Sequence, residues 1–538
     1  MLRRHRFRLA VPVANAARGS IVPISTPDWV KDAVFYQVFP DRFARSGRVP
    51  SPGPLEDWET PPTLFGFKGG DLYGVADRLA GLADLGVTAL YLNPVFASAS
   101  NHRYHTFDYL AVDPLLGGDA ALRELLDRAH ERGMRVVLDG VFNHASRGFW
   151  PFHHVLECGL GSPYVDWFHI DREALAAGRA LRAYPDETMR QAFEEAAVEP
   201  RTGTESLRSL GYRAWWDLPA LPKLNTDNPH VREYLMQVAE HWIRFGADGW
   251  RLDVAAEIDD DEFWREFRRR VKAVNPDAYI VAEVWHQDPR WLQGDQFDAY
   301  MNYPLGFTAL SFASGVHRDQ EAIASHAEIR NGVRAEDGVG FLERVAQQLS
   351  AYDPEIVAVQ LNLLGSHDMP RILTICDGDT ASVRLATLVQ MTLPGAPCIY
   401  YGDEIGMAGG RDPGCRASFP VDPAAGDQAL RAFVQGVIAL RHRHPVLRRG
   451  SFAAAGSAGS AAAYLRADAT EALLVALNAG EDDVELPLDL PGLPDGRLDE
   501  VVPEGWPWAP SGPVTVTRGR AVTTVPARGA RLLRAATG

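Results

Sequence analysis

Residues Asp248–Glu283 read DGWRLDVAAEIDDDEFWREFRRRVKAVNPDAYIVAE. The stretch opens and closes on a short apolar run that ends in a carboxylate, and a segment of helical period separates the two runs. That is the pattern of a strand, a crossover helix and a parallel strand. Moving outward in both directions, the same unit recurs. Candidate strands are Val34–Phe39, Val87–Leu92, Met134–Asp139, Asp248–Asp253, Tyr279–Glu283, Phe297–Met301, Leu361–Leu364 and Cys398–Tyr401. Between them, Leu122, Leu125, Leu126 and Ala129, and later Val231, Tyr234, Leu235, Val238 and Trp242, fall at helical spacing and predict amphipathic helices. Eight strands joined by crossover helices predict a closed (β/α)8 TIM barrel over 30–444 rather than an open sheet.

Two spacings break the regularity. The gap from the third to the fourth strand far exceeds one crossover helix, so 145–225, rich in Trp, Tyr and His, is expected to form a subdomain inserted after strand 3. The gap from the sixth to the seventh is expected to carry an additional helix or two. After Gly450 short alternating runs such as Ala472–Leu477 and Ala521–Val525 stand between Gly, Pro and Asp turns, which predicts a C-terminal antiparallel β-sandwich over 445–538. Residues 1–29 read as a tail. Its basic start, Met1 to Arg8, and the run Leu9–Ala17 imitate a secretory leader, but Pro12 and Asn15 interrupt the apolar stretch. A cytoplasmic chain is expected, with secretion as the alternative.

Composition narrows the partners. Lys and Arg total 54 against 70 Asp and Glu, a net charge of −16, so the field repels polyanions and nucleic acid is excluded as a partner. No window offers eighteen consecutive apolar residues, which excludes a membrane-spanning helix. The four cysteines, Cys158, Cys376, Cys398 and Cys415, lack the spacing of a zinc site or a disulfide framework and read as free thiols.

In a barrel of this kind chemistry takes place at the C-terminal ends of the strands. Asp139, Asp253 and Glu283 each close an apolar run, and Asp368 follows Leu364-Gly-Ser-His367. Singly each could be a helix cap; together they converge on one pocket. Arg251 and Asp253 lie two apart on one strand and share a face, so the guanidinium can hold the carboxylate ionised, the state a nucleophile needs. The same pair also suits a structural ion pair in the barrel mouth. Glu283 ends the next strand, where burial and neighbouring anions are expected to raise its pKa and fit it for proton donation, as in a retaining glycosidase.

The segments Asp139-Gly-Val-Phe-Asn-His144, Gly249-Trp-Arg-Leu-Asp-Val-Ala-Ala-Glu257, Glu283-Val-Trp-His286 and Leu364-Gly-Ser-His-Asp368 resemble, in order, the four signature regions of the α-amylase superfamily, glycoside hydrolase family 13. The resemblance extends over about 30–420 through Phe35–Phe43, Gly69-Gly-Asp-Leu72, Asn101–Tyr109 and Tyr400-Tyr-Gly-Asp-Glu404. It implies Asp253 as nucleophile, Glu283 as general acid/base and Asp368 as the third carboxylate. It further implies that Arg251 orients Asp253, that His144 and His367 bond the sugar in subsite −1, that Asp139 supports the pocket floor and that Tyr104 stacks on the ring. Leu221-Pro-Lys-Leu-Asn225, Trp285-His286, Asp298–Pro304 and His367-Asp-Met-Pro-Arg371 are similar to the cyclomaltodextrinase, neopullulanase and maltogenic amylase branch, which adds Trp285, His286 and Arg371 as substrate contacts. Glu257 sits where that branch tunes water against sugar as acceptor.

Two departures accompany the resemblance. Members carry an N-terminal β domain of over a hundred residues, whereas about thirty residues precede the barrel here, so a more open cleft or a different assembly is expected, and the oligomeric state stays open. Relatives follow Asp-Arg-Phe with an Asn/Asp-rich loop of calcium ligands, but Asp41-Arg-Phe-Ala-Arg-Ser-Gly47 puts a cation there. No cofactor is expected to be required, and calcium is disfavoured at that loop. The implied activity is retaining hydrolysis of α-1,4-glucosidic bonds in maltooligosaccharides or cyclodextrins, with α-1,6 cleavage or transglycosylation in range. The same signatures serve glucosyltransferases and isomerases such as amylosucrase and trehalose synthase, and a noncatalytic sugar-binding homologue is the reading from another class.

Overall fold

The computed structural model describes residues 23–184 and 205–535. The leader-like start, Met1–Ala17, and 185–204 of the expected subdomain lie outside the described residues. Among the described residues ten strands precede the C-terminal region: β1 (Phe35–Val38), β2 (Ala89–Leu92), β3 (Phe96–Ser98), β4 (Thr106–Val112), β5 (Arg135–Gly140), β6 (Gly249–Leu252), β7 (Tyr279–Ala282), β8 (Ala299–Tyr300), β9 (Leu361–Leu363) and β10 (Ala396–Tyr400). Eight of them form one parallel sheet in the order β8-β7-β6-β5-β2-β1-β10-β9. A parallel bridge between Met301 and Leu361 joins the two outer strands and closes the barrel. Helices cover the outside and side chains fill the inside, so the strands are buried on both faces and read as continuous apolar runs.

The crossover helices follow ordinary capping chemistry. Asp71 accepts from the Gly74 amide to start Leu72–Leu85, and Gly86, at φ 99°, ends it in the left-handed conformation that favours glycine. In Gly118–His130 the residues Leu122, Leu125, Leu126 and Ala129 face inward, and in Pro229–Arg244 Val231, Leu235, Val238 and Trp242 do.

Some details differ from the sequence reading. Residues 23–29 are not a tail, because helix Asp28–Asp32 docks on the barrel and the Trp29 indole N–H donates to the Asp277 carbonyl at 2.9 Å. Five helices fill the gap between β8 and β9, four beyond a single crossover rather than the one or two additional ones expected. The antiparallel pair β3 and β4 extends beyond β2 and carries Tyr104 in its connecting loop.

The C-terminal strands are β11 (Ser451–Ala458), β12 (Ala461–Ala467), β13 (Ala472–Asn478), β14 (Val484–Asp489), β15 (Gly496–Glu500), β16 (Val514–Val516), β17 (Arg520–Val525) and β18 (Gly529–Ala535). Six form the antiparallel sheet β11-β12-β13-β18-β15-β16, and β14 pairs with β17. Leu474, Leu486, Leu488, Val525 and Leu533 fill the space between the sheets. Buried arginines weld this unit to the barrel. Arg441 donates to the carbonyls of Met391 and Gly395, at and just after the end of helix Thr380–Thr392, at 2.8 and 2.6 Å, and to that of Leu447 at 3.1 Å. Arg466, on β12, reaches the Thr392 carbonyl and donates to Leu447 at 2.8 Å.

Candidate active site

The barrel register brings the carboxylates together. Asp139 on β5 pairs with Arg251 on β6, and Leu252 pairs with Ala282 on β7, so the side chains of Asp139, Arg251 and Asp253 share the interior face at the mouth and Glu283 follows on the next strand. Arg251 is fully buried. Its Nη1 donates to Asp139 Oδ1 and Asp253 Oδ1, both at 2.9 Å. Nη2 lies 2.9 Å from Glu283 Oε2, an ion contact without the alignment of a hydrogen bond. One cation therefore serves three buried carboxylates.

That shortage of positive charge reverses one expectation. The Asp253 carboxyl is pushed well above its ordinary range, first by burial and then by the charges of Glu283, Asp139 and Asp368, all against the pull of Arg251. Asp368 is pushed up to about 7 by burial and by Glu283, with Arg416 opposing. Arg251 alone thus does not offset burial and the neighbouring carboxylates at Asp253. Asp253 Oδ2 is buried and has no hydrogen-bond partner among the described residues, which leaves its lone pairs free.

Glu283 is fixed from two other directions. Its Oε1 accepts from the Trp285 indole at 3.0 Å and its Oε2 from the Val254 amide at 2.9 Å. Val254 holds φ 39° and ψ 47°, a left-handed conformation that costs a β-branched residue roughly 1–3 kcal/mol. The surrounding barrel maintains it, and the result is an amide aimed at the carboxylate.

Tyr104 and His367 close the opposite wall, with rings parallel within 7° and centroids 5.2 Å apart. The Tyr104 hydroxyl donates to Asp139 Oδ2 at 2.8 Å, and His367 Nε2 lies 3.1 Å from Asp368 Oδ2. His144 is buried against Trp215, ring to ring at 4.8 Å, and burial pulls its pKa down to about 3. Its Nε2 has no partner among the described residues. Trp216 stacks on Trp215 at 4.7 Å, and Trp216 and Asp217 both hold positive φ.

The family model described as the α-amylase catalytic domain matches residues 37–470. The chain belongs to the α-amylase family. A cyclomaltodextrinase of Geobacillus thermopakistaniensis is 44% identical over 468 residues, 86% of this chain and 71% of the relative. Among solved structures, a protein of Thermus thermophilus superposes with TM-score 0.84 at 44% identity, covering 94% of this chain and 100% of that one. The debranching enzyme of Nostoc punctiforme in its native form gives TM-score 0.80 at 43% identity, covering 95% and 100%.

Of the residues expected to serve an α-amylase cleft, Trp285 stacks on Tyr303 at 3.6 Å, and His286 is exposed beside it. Glu257 is exposed and takes Lys223 Nζ on its carbonyl at 2.8 Å and on Oε2 at 3.3 Å. Arg371 is the exception. It is fully buried, 3.0 Å from Asp403, and its guanidinium lies over the Tyr400 and Tyr401 rings, so it braces the base of the loop after β10 and does not reach the cleft. The cation that does reach it is Arg416. Its Nη2 donates to Asp368 Oδ1 at 3.3 Å, its Nε donates to the His367 carbonyl at 2.8 Å, and Asp412 pairs with it at 3.1 Å. The Asp-to-Arg spacing of four after the Tyr400–Glu404 segment is the signal that the sequence reading passed over. Gln37 and Tyr91, inside the barrel, were likewise hidden in apolar strands, and Asn93, which closes the run of β2, was passed over.

At the Asp41–Gly47 loop the oxygens are engaged by protein donors. Asp41 accepts from the Lys68 and Gly69 amides at 2.9 and 3.2 Å, with Arg42 3.0 Å away. Arg45 donates to the carbonyls of Lys68 and Glu56 at 2.5 and 3.0 Å, so a guanidinium occupies oxygens of the kind calcium binds. Among the described residues no group of three or more His, Cys, Asp or Glu is arranged to hold a metal.

Proposed function

We propose that this protein is a retaining α-glucan hydrolase acting on α-1,4 bonds of maltooligosaccharides and cyclodextrins, with α-1,6 bonds and sugar acceptors within reach. The observation that carries the reading is the sharing of Arg251 by Asp253 and Glu283 across adjacent strands, each within 2.9 Å of one guanidinium. Two carboxylates tied to one planar group favour the separation of roughly 5–5.5 Å used in double displacement over the roughly 6.5–9.5 Å of inversion.

Glu283 protonates the leaving oxygen while Asp253 Oδ2 attacks the anomeric carbon and forms a β-glycosyl ester. Glu283, now ionised, takes a proton from water, or from a sugar hydroxyl in transfer, and the ester is cleaved. Asp368, held between His367 and Arg416, grips hydroxyls of the same ring, and Tyr104 offers it an aromatic face. Trp285, His286 and Glu257 border the leaving-group side. No cofactor takes part, calcium included, and the reaction belongs to the cytoplasm, a reading that rests on four free thiols.

Chromatography of products from β-cyclodextrin, maltotriose, pullulan, starch and sucrose tests the proposal. Maltose and glucose released from cyclodextrin faster than from starch is the expected result. Sucrose turnover, or isomerised disaccharide without hydrolysis, would reassign the chain to a transferase or isomerase. Asp253→Asn and Glu283→Gln are each expected to abolish nearly all turnover with the fold intact; near-normal hydrolysis by Asp253→Asn would refute the mechanism.

A further inference from the structure

Imidazole binds a hydroxyl differently according to which ring nitrogen carries the proton, and the neighbours of His367 decide this. The chain of donors starts at Asp139. Both its oxygens take Arg251 Nη1, at 2.9 and 3.1 Å, and Oδ2 also takes the hydroxyls of Tyr91 and Tyr104, at 2.7 and 2.8 Å. It is an acceptor throughout, so the Tyr104 proton points to it and the Tyr104 oxygen is left to accept. Asn93 Nδ2 donates to that oxygen at 2.9 Å, which turns Asn93 Oδ1 toward Gln37. An amide oxygen only accepts, so Gln37 must present its NH2, with Nε2 at 3.0 Å from Asn93 Oδ1. The same nitrogen lies 2.9 Å from His367 Nδ1. An amide nitrogen never accepts, so Nδ1 must be bare.

We propose that Gln37, buried on β1, is a positioning residue that fixes His367 in the tautomer protonated at Nε2. Every distance at the far side of the ring agrees: Nε2 is 2.7 Å from the Tyr104 oxygen and 3.1 Å from Asp368 Oδ2, both acceptors. The ring stays neutral because it is buried and faces the guanidinium groups of Arg416 and Arg251, with His102 also nearby. A second proton at Nδ1 would point at the amide hydrogens of Gln37.

The consequence rests on the hydrolase reading above. A sugar hydroxyl entering between His367 and Asp368 accepts from the imidazole and, where Asp368 is ionised, gives its own proton to that carboxylate. The orientation is set before substrate arrives, so the site avoids reorganising as the ring distorts.

The test is long-range proton–nitrogen NMR of the full chain labelled with nitrogen-15 histidine at neutral pH, with His367→Gln identifying the signal. Nδ1 is expected in the unprotonated range and Nε2 in the protonated range. A proton on Nδ1, or on both nitrogens, overturns the proposal. In Gln37→Met the two nitrogens are expected to move toward each other as tautomers mix, with kcat on an aryl α-maltoside down about tenfold, the loss of one hydrogen bond, and KM within about twofold. Unchanged nitrogen signals in a folded Gln37→Met would also overturn it. If that variant does not fold, the spectrum of the unaltered chain decides. The spectrum is read without turnover, so failure of the hydrolase reading would show separately, in the product panel.

Discussion

Replacing Arg251 with methionine removes the only cation in direct contact with Asp139, Asp253 and Glu283 among the described residues, each now within 2.9 Å of it. At an effective dielectric constant of about 20, two unit charges about 4 Å apart interact by about 4 kcal/mol. That is about three pK units for Asp253, whose carboxyl is already pushed up by burial. An Asp must be ionised to attack carbon, so the ionised fraction at neutral pH, and with it kcat/KM, should fall on the order of a thousandfold. Because the missing cation raises the carboxyl further, the acid limb of the pH profile should move to higher pH, and activity should recover in part as pH rises. The assay is kcat/KM for a chromogenic maltoside across about pH 5–9, with circular dichroism to verify folding, since orphaning buried carboxylates costs about 3–5 kcal/mol. A folded variant within tenfold of the parent, with its acid limb unmoved, would refute the claim that Arg251 sets the ionisation of the cluster.

Arg416→Met should lower kcat/KM by about one to two orders of magnitude through loss of a charge-assisted bond to Asp368, while Arg371→Met should leave KM nearly unchanged and lower Tm, because it strands Asp403. Kinetics and melting curves on both variants check the exchange of roles. Calcium added at millimolar level should leave Tm of the native chain unmoved, and Arg45→Ala should not create a calcium response; a rise of several degrees in scanning calorimetry of the unaltered protein would count against the fit argued for that loop. Asp403 is pushed up to about 7 by burial. A raised carboxyl binds its proton more tightly in the folded chain, so its stabilising contribution is complete below about pH 4 and is lost as pH rises through about 7. Asp403→Asn should therefore flatten the decline of Tm between about pH 4 and 7, and an equally steep decline there would contradict the assignment.

How much of this was legible beforehand depended on where each residue's information lies. The barrel strands could be read because burial on both faces leaves short continuous apolar runs, and Asp139, Asp253 and Glu283 could be found because a polar residue closing such a run is conspicuous. The β3–β4 pair was not legible: Asn101-His-Arg-Tyr-His105 has no period of two, and what fixes it is contact with Asp113 and the loop at Leu64. Arg371 and Arg416 show the same limit in the site. Both are arginines near an aspartate in sequence, and only the path of the chain after β10 decides which one meets Asp368. The ionisation of Asp253 was misjudged for a related reason. A local pair with Arg251 is visible in the sequence, whereas the competition of three carboxylates for that guanidinium is a property of the assembled barrel.

The arginine weld between barrel and sandwich has a consequence for trimming or swapping modules. Helix Thr380–Thr392 runs directly into β10, and β10 delivers Tyr400, Tyr401 and the loop that ends at Arg416. The carbonyls at the joint are quenched by Arg441 from the barrel and by Arg466 from the sandwich, so a chain cut back to the barrel would bare oxygens one strand away from the groove. A module with no side chain in the cleft is in this sense an abutment for it, and a chimera that exchanges the sandwich must bring its own equivalent of Arg466 to keep the arch standing.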